Sequence, residues 1–117
     1  MTTQEVANRL VELCRMGQIE TAQNELYADD VTSTEPASSP MQFATGKNAL
    51  IEKGKMFQSM VEEFHGQNIS DPIVAGNVFA ITWGMDVTMK DRGRSNMEEV
   101  CVYNVKDGKI VSEQFFF

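Results

Sequence analysis

The first half of the chain carries apolar residues at the spacing of amphipathic helices. A first helix is predicted to begin after Thr2, which forms a capping-box pattern with Glu5, and to end at Gly17. A second, shorter helix is predicted to end within Tyr27 to Asp30. The expected buried stripes are Val6, Leu10, Leu13 and Cys14 on the first helix, and Ile19, Ala22 and Leu26 on the second.

A third helix is predicted to open at Gly46, after an extended piece over Val31 to Pro36 and a loop over Ala37 to Thr45. Its apolar stripe is broad and continues to Phe64, which places His65 at the exit of the helix. The stripe comprises Leu50, Phe57, Met60, Val61 and Phe64.

After Gly66 the pattern changes to alternation of apolar and polar residues, which is typical of β-strands. Turn signals at Gly76-Asn77 and at Lys106-Asp107-Gly108 separate the strands. Helices followed by an antiparallel meander indicate the α+β class, with the helices packed on one sheet face. The predicted strands are Ile69 to Ala75, Val78 to Lys90, Asn96 to Val105 and Lys109 to Phe117.

Composition and charge narrow the function classes. The chain has 117 residues, enough for a single domain over 1–117, and its 10 basic and 17 acidic residues give a net charge of -7. Scattered basic residues argue against a nucleic-acid partner. No apolar run has the length of a signal or membrane segment, so a cytoplasmic location away from membranes is expected. Cys14 and Cys101 lack zinc or redox spacing and are expected to be reduced, buried thiols.

The order of motifs resembles the nuclear transport factor 2-like superfamily, and within it the SnoaL-like and ketosteroid-isomerase-like proteins. The resemblance rests on Tyr-Ala-Asp-Asp-Val over 27–31, the pair Glu35-Pro36, Gly46 opening a helix, and the closing hairpin over 105–111. It implies a cone-shaped, strongly curved antiparallel sheet wrapped around three N-terminal helices, a cystatin-like roll with a pocket inside the cone. It does not fix the function, since this scaffold is implied to host isomerases, cyclases, dehydratases, hydrolases and binding modules.

Glu35 is the first candidate catalytic residue. It matches the position at which ketosteroid isomerases place an aspartate as general base, and Glu lengthens that arm by one methylene. An apolar pocket mouth would raise the pKa of this carboxyl towards the range useful for proton abstraction next to a carbonyl. The alternative is an exposed loop acid before Pro36.

The rest of the isomerase apparatus is largely absent from the sequence. Leu10 stands where the resemblance implies an oxyanion-hole tyrosine, so steroid isomerase activity is not expected. The acid that completes the hole falls at Val100, or at Glu99 if the hairpin is shifted by one residue. A protonated Glu99 would donate to an oxyanion, whereas a solvent-facing Glu99 would be structural. Glu98 and Glu99 must point to opposite sheet faces.

His65 is the only histidine and a further catalytic candidate, as a proton shuttle opposite Glu35. Its alternative role is structural, at the C-terminus of the third helix. No acid or histidine cluster has the spacing of a metal site, and no phosphate-cradling loop is present, so neither a metal nor a cofactor is expected.

Pocket walls are predicted from the large apolar residues. Trp83 and Tyr103 combine an apolar body with one polar tip, and the alternative for each is plain core packing. The chain has 8 Met and 7 Phe residues, which can either close a core or line an adaptable pocket. The further predicted ligand-binding residues are Phe57, Met60 and Met85.

Phe115, Phe116 and Phe117 cannot all point inward on a strand, because successive side chains alternate. One face must then be covered by a partner, and the resemblance implies a homodimer through the outer sheet face.

Two functions follow as hypotheses. The first is a pocket protein that binds an apolar small molecule, with cofactor-independent isomerase-, cyclase- or dehydratase-type chemistry from Glu35. The second is a non-catalytic module of the same fold that serves dimerisation or protein interaction. An open cone containing Glu35 with a polar partner favours the first, and a cone filled by Met and Phe favours the second.

Overall fold

Three helices and seven strands make up the computed structural model, which describes all residues, 1–117. The helices are α1 (Thr3–Arg15), α2 (Ile19–Leu26) and α3 (Lys47–Met60). The predicted capping box of α1 is confirmed: Thr2 Oγ1 accepts from the Glu5 N–H at 3.1 Å, and the Glu5 carboxylate accepts from the Thr2 N–H at 2.8 Å. None of the helices combines the length and apolar character needed to cross a membrane.

The seven strands form one sheet. They are β1 (Tyr27–Thr34), β2 (Phe43–Thr45), β3 (Val61–Ile69), β4 (Ile73–Ala75), β5 (Val78–Met89), β6 (Gly93–Lys106) and β7 (Lys109–Phe116). Their order in the sheet is β2-β1-β7-β6-β5-β3, with β4 paired to β5. Neighbouring strands are antiparallel except β1 and β7, which run parallel, so the expected meander is joined by one parallel pair.

The sheet curves around the helices, which confirms the predicted α+β class and wrapped arrangement. Helix α3 contacts β1 and β2 at one end of the strand order and also β3 at the other end. Residues of β1, β5, β6 and β7 line one cavity together with residues of all three helices, so the inner sheet face bends around an open interior.

The hydrophobic core lies between α1, α2 and the inner face of the sheet. Leu10 and Leu13 from α1 are buried against strand residues, and the rings of Phe79 and Tyr103 stack with centroids 4.8 Å apart. The hairpin between β6 and β7 turns at Asp107 and Gly108, whose φ angles of 52° and 76° suit the predicted two-residue turn.

Two predicted helix ends are wrong. The third helix stops at Met60, and Val61 and Phe64 belong to β3, which pairs with β5. The apolar spacing of Val61 and Phe64 also fits a helix, but here the backbone groups are satisfied by the ladder to β5. The second helix likewise ends early, because Tyr27 to Asp30 already form β1.

A bulge in β7 sets which residues of the last strand face inward. Asn104 pairs with Ser112 while Val105 pairs with Ile110, so Val111 is the extra residue. The bulge allows both Ile110 and Glu113 to be buried although they are three positions apart. Glu113 thereby joins the interior of the cone.

Candidate functional site

The open interior of the cone is a cavity of about 270 Å³. All three helices and the inner sheet face contribute to it, and 12 of its 18 lining residues are hydrophobic. The polar side chains of the wall include three carboxylates but only one lysine. The lining residues are Leu10, Cys14, Ile19, Gln23, Tyr27, Glu35, Leu50, Lys53, Gly54, Phe57, Trp83, Met85, Met97, Glu99, Tyr103, Glu113, Phe115 and Phe117.

Glu35 follows the end of β1 and lines this cavity, with only 15% of its side chain exposed. Its carboxylate is paired with the ammonium of Lys53 and also accepts from Ser39 Oγ at 2.9 Å. The backbone N–H of Glu35 donates to the carbonyl of Gln42 at 2.8 Å, which ties the loop to this position. The carboxylate is therefore held by two side-chain contacts on a fixed backbone, and it is not a free loop acid.

Lys53 reaches the site from α3. Its ammonium donates to Ser33 Oγ at 3.1 Å in addition to its pairing with Glu35, and it lies 5.3 Å from the ring centroid of Phe115. Lys53 is not among the residues predicted from the sequence, since a lysine on an amphipathic helix usually faces solvent. A signal was present, because Lys53 lies three residues after Leu50 and four before Phe57, on the predicted apolar stripe.

Glu99 is the second carboxyl in the cavity. It lies opposite Trp83 in the ladder between β5 and β6, while Glu98 and Val100 are exposed on the outer face. Burial raises the pKa of the Glu99 carboxyl, and the nearby Glu35 and Glu113 raise it further, whereas the Cys101 thiol and Lys53 lower it. Its one side-chain hydrogen bond is weak, from Cys101 Sγ at 3.5 Å.

Glu113 is the third carboxyl and is the deepest, with 6% of the residue exposed. The Tyr27 hydroxyl donates to its Oε2 at 2.5 Å. Burial raises the pKa of Glu113, while hydrogen bonds from Tyr27 and Ser33 and the charge of Lys53 lower it. Burial likewise raises the pKa of Tyr27, so that residue stays a neutral donor.

Four of the five predicted wall residues line the cavity: Phe57, Trp83, Met85 and Tyr103. The polar tip of Trp83 is already used, because its Nε1 donates to Gln67 Oε1 at 3.2 Å. The expected place of Met60 on the wall is wrong. Met60 is the last residue of α3 and is 37% exposed, and it does not line the cavity.

The family of this chain follows from its similarity to known proteins. The family model of the SnoaL-like domain matches residues 1–117. This chain belongs to the SnoaL-like family. Among proteins with curated functions, none matches the chain.

Solved structures resemble this SnoaL-like chain over its whole length. A protein of Mesorhizobium loti, provisionally named a SnoaL-like polyketide cyclase with carbohydrate phosphatase also in its name, is 39% identical with a TM-score of 0.94, and each chain is covered to 100%. An NTF2-like protein of unknown function from Burkholderia pseudomallei is 17% identical with a TM-score of 0.80, over 100% of this chain and 92% of that one. TerC, co-crystallised with polyporic acid, is 16% identical with a TM-score of 0.76, over 98% and 90%. The latter two establish only a common NTF2-like fold.

Leu10 of this SnoaL-like chain lines the cavity and is buried. It occupies the wall with an apolar side chain that donates no hydrogen bond. Any stabilisation of a charged oxygen in this cavity must therefore come from other residues.

The predicted position of His65 at a helix exit is wrong. His65 lies within β3, and its Nε2 is 2.7 Å from Oγ1 of Thr88 on β5. It does not line the cavity of the SnoaL-like site. The structure therefore does not bring His65 together with Glu35, which excludes the predicted shuttle between them.

The cysteines and acids of the SnoaL-like chain form no arrangement of three or more His, Cys, Asp and Glu residues that could hold a metal ion. Cys14 and Cys101 are both free and buried. Burial raises the pKa of the Cys14 thiol to about 12, so it is a neutral part of the cavity wall and not a nucleophile.

Proposed function

We propose that this SnoaL-like protein binds a neutral, mostly apolar small molecule in the cavity and moves a proton on it, with Glu35 as the base. The observation that carries the proposal is a fixed Glu35 carboxylate on the wall of an open apolar cavity that also holds Glu99. The reaction class is proton transfer next to a carbonyl, leading to isomerisation or cyclisation without a cofactor.

The two carboxyls suit different roles. Glu35 faces the ammonium of Lys53 and is available as the proton acceptor. Glu99 has its pKa raised by burial, which favours its neutral form as a hydrogen-bond donor to a ligand oxygen. Carboxyls in unlike environments are a recurrent arrangement in acid–base catalysis.

The size and charge of the cavity indicate the kind of ligand. A cavity of roughly 150 Å³ encloses one benzene molecule, so a volume of about 270 Å³ suits a body of about two rings. Of the two activities in the name of the Mesorhizobium loti relative, the wall favours the cyclase class. Its single cation, Lys53, is already paired with Glu35, so the wall offers no cluster of positive charges to bind a phosphate group.

The alternative function, a non-catalytic module, would be supported by a cone filled with its own side chains. Met85, Met97 and Phe57 border the cavity without filling it. The open space and the partnered Glu35 therefore favour the catalytic proposal.

The test uses 2-tetralone, a neutral two-ring ketone with acidic protons next to its carbonyl. We expect the protein in deuterated water to accelerate exchange of those protons, followed by NMR. Glu35→Gln keeps the side-chain shape but removes the base, and it should lower the exchange rate by about 100-fold or more, the range of general base catalysis.

The matched control is Glu98→Gln, which removes a neighbouring carboxylate from the exposed outer face of β6. It should exchange 2-tetralone at the wild-type rate. Equal rates for Glu35→Gln and wild type would exclude Glu35 as the base.

A further inference from the structure

The proposed function assigns the ammonium group of Lys53 no contact with the ligand. Lys53 has three N–H donors, and two of them are directed to Glu35 and to Ser33. Lys53 lines the cavity, and its ammonium lies 5.3 Å from the centroid of the Phe115 ring, which also lines it. One donor therefore remains for a ligand atom.

Two other polar tips in the cavity wall are already engaged. The Tyr27 hydroxyl donates to Glu113, and the indole N–H of Trp83 donates to Gln67. With Leu10 apolar, Lys53 is the cation of this wall that can meet a negative oxygen.

We propose that the Lys53 ammonium binds the enolate oxygen that forms when Glu35 removes a proton, and that the site accordingly takes enolisable ketones or enols with a body of about two rings. This inference rests on the proposed function and names its substrate class. It makes Lys53 a catalytic residue that contacts the reacting oxygen.

The charges balance during this step. The C–H bond next to the carbonyl breaks, its proton goes to the Glu35 carboxylate, and the electron pair becomes an enolate with its charge on the ligand oxygen. Lys53 faces a carboxylate before the transfer and an enolate after it, so the site has the same net charge throughout. Return of the proton from Glu35 to another carbon gives the isomer.

The experiment uses 2-naphthol, whose ionised form has the shape of the 2-tetralone enolate and a distinct absorbance. Glu35→Gln imitates the protonated base and leaves the ammonium of Lys53 free to face the probe. The comparison protein is Glu35→Gln with Lys53→Gln, in which both charges of the pair are removed together, so that no buried charge is left alone.

We expect the pKa of bound 2-naphthol to be lower in Glu35→Gln than in the double variant by about one to three units, the effect of an opposite charge at close range. Adding Lys53→Arg to Glu35→Gln keeps the positive charge and should keep the lowered pKa. If Lys53→Gln does not fold in this background, Lys53→Met replaces it as the neutral variant.

An equal pKa of bound 2-naphthol in Glu35→Gln and in the neutral double variant would overturn the proposal, and so would the lack of saturable 2-naphthol binding. Neither result depends on turnover. The outcome is thus separate from the 2-tetralone exchange test, which alone decides whether Glu35 acts as a base.

Discussion

Glu113 shows most clearly how burial inside the cone changes the protonation of a single residue. The residue is 6% exposed, and the closest partner of its carboxyl is the Tyr27 hydroxyl at 2.5 Å. Burial raises its pKa, which means that the folded protein holds this proton more tightly than the unfolded chain does. The stability of the fold must therefore depend on pH through Glu113.

The sign of this dependence follows from linkage. The stabilisation from protonated Glu113 is fully present below its unfolded pKa of 4.5 and is lost as the pH rises through the higher folded value. Glu113→Gln keeps an acceptor for Tyr27 but cannot ionise. The free energy of unfolding of Glu113→Gln should therefore increase relative to that of wild type as the pH rises. The difference should change by about 1.4 kcal/mol for each unit by which folding shifts the pKa of Glu113.

Urea unfolding of wild type and Glu113→Gln between about pH 4 and pH 8 measures this difference. Tyr27→Phe serves as the opposing variant, because it removes a donor to the carboxylate and should make the loss of stability with pH steeper. A constant gap between wild type and Glu113→Gln across the range would show that Glu113 has the same pKa in both states.

The sequence allowed some residues of the site to be found and concealed others. Glu35 and Glu99 could be picked out because an acid after a short strand and a pair of adjacent acids on a strand stand out. Glu113 was hidden by the bulge at Val111, since alternation counted from Ile110 puts Ser112 and Gln114 inside. Such a shift depends on pairing between strands, which the pattern of one strand does not contain.

Among the elements, helix α3 forms part of the cavity wall and contains a glycine that weakens it. Gly54 lies in its interior and borders the cavity, and a Cβ atom built there meets no atom within 4 Å. Glycine in a helix interior costs about 0.5–1 kcal/mol relative to alanine. The position therefore has room for a side chain that would also strengthen the helix.

Gly54→Ala should raise the free energy of unfolding by about 0.5–1 kcal/mol, measured by urea denaturation. Gly46→Ala is the matched control at the start of the same helix, where φ is +100° and alanine is strained. It should destabilise the protein by about 1–3 kcal/mol. A loss of stability in Gly54→Ala would mean that the space beside α3 is not open.

The sequence predicts the ends of some elements well and the ends of others poorly. Helix α1 has a capping box at Thr2 and a glycine at 17, and the hairpin has Asp107-Gly108, so local chemistry marks these boundaries. The change from α3 to β3 after Met60 has no Gly or Pro, and it is set by pairing with β5. The error there also misplaced His65.

At the scale of the whole molecule, the outer sheet face carries exposed apolar residues. Val100 and Phe116 lie opposite each other on β6 and β7, and they are 42% and 49% exposed. Phe115, by contrast, lines the cavity. The alternation expected for the last strand is thus present, and it leaves Phe116 without cover on the outer face.

We predict that a second copy of the chain covers this face. Light scattering after size-exclusion chromatography should give twice the chain mass of 13.1 kDa for wild type, and Phe116→Glu should lower it to one chain. Met16→Glu is the control, since Met16 is 56% exposed at the end of α1, outside the sheet, and should leave the dimer intact. A wild-type mass of one chain would exclude the dimer.

The proposed function requires an open cavity in which Glu35 reaches a small neutral ligand. The exchange rate of 2-tetralone in wild type, Gly54→Ala and Gly54→Leu tests this requirement most directly. Wild type and Gly54→Ala should accelerate exchange with saturation. Gly54→Leu, folded and with Glu35 unchanged, should fall to the rate of buffer because leucine occupies the cavity beside α3. Equal exchange in all three proteins would contradict the account.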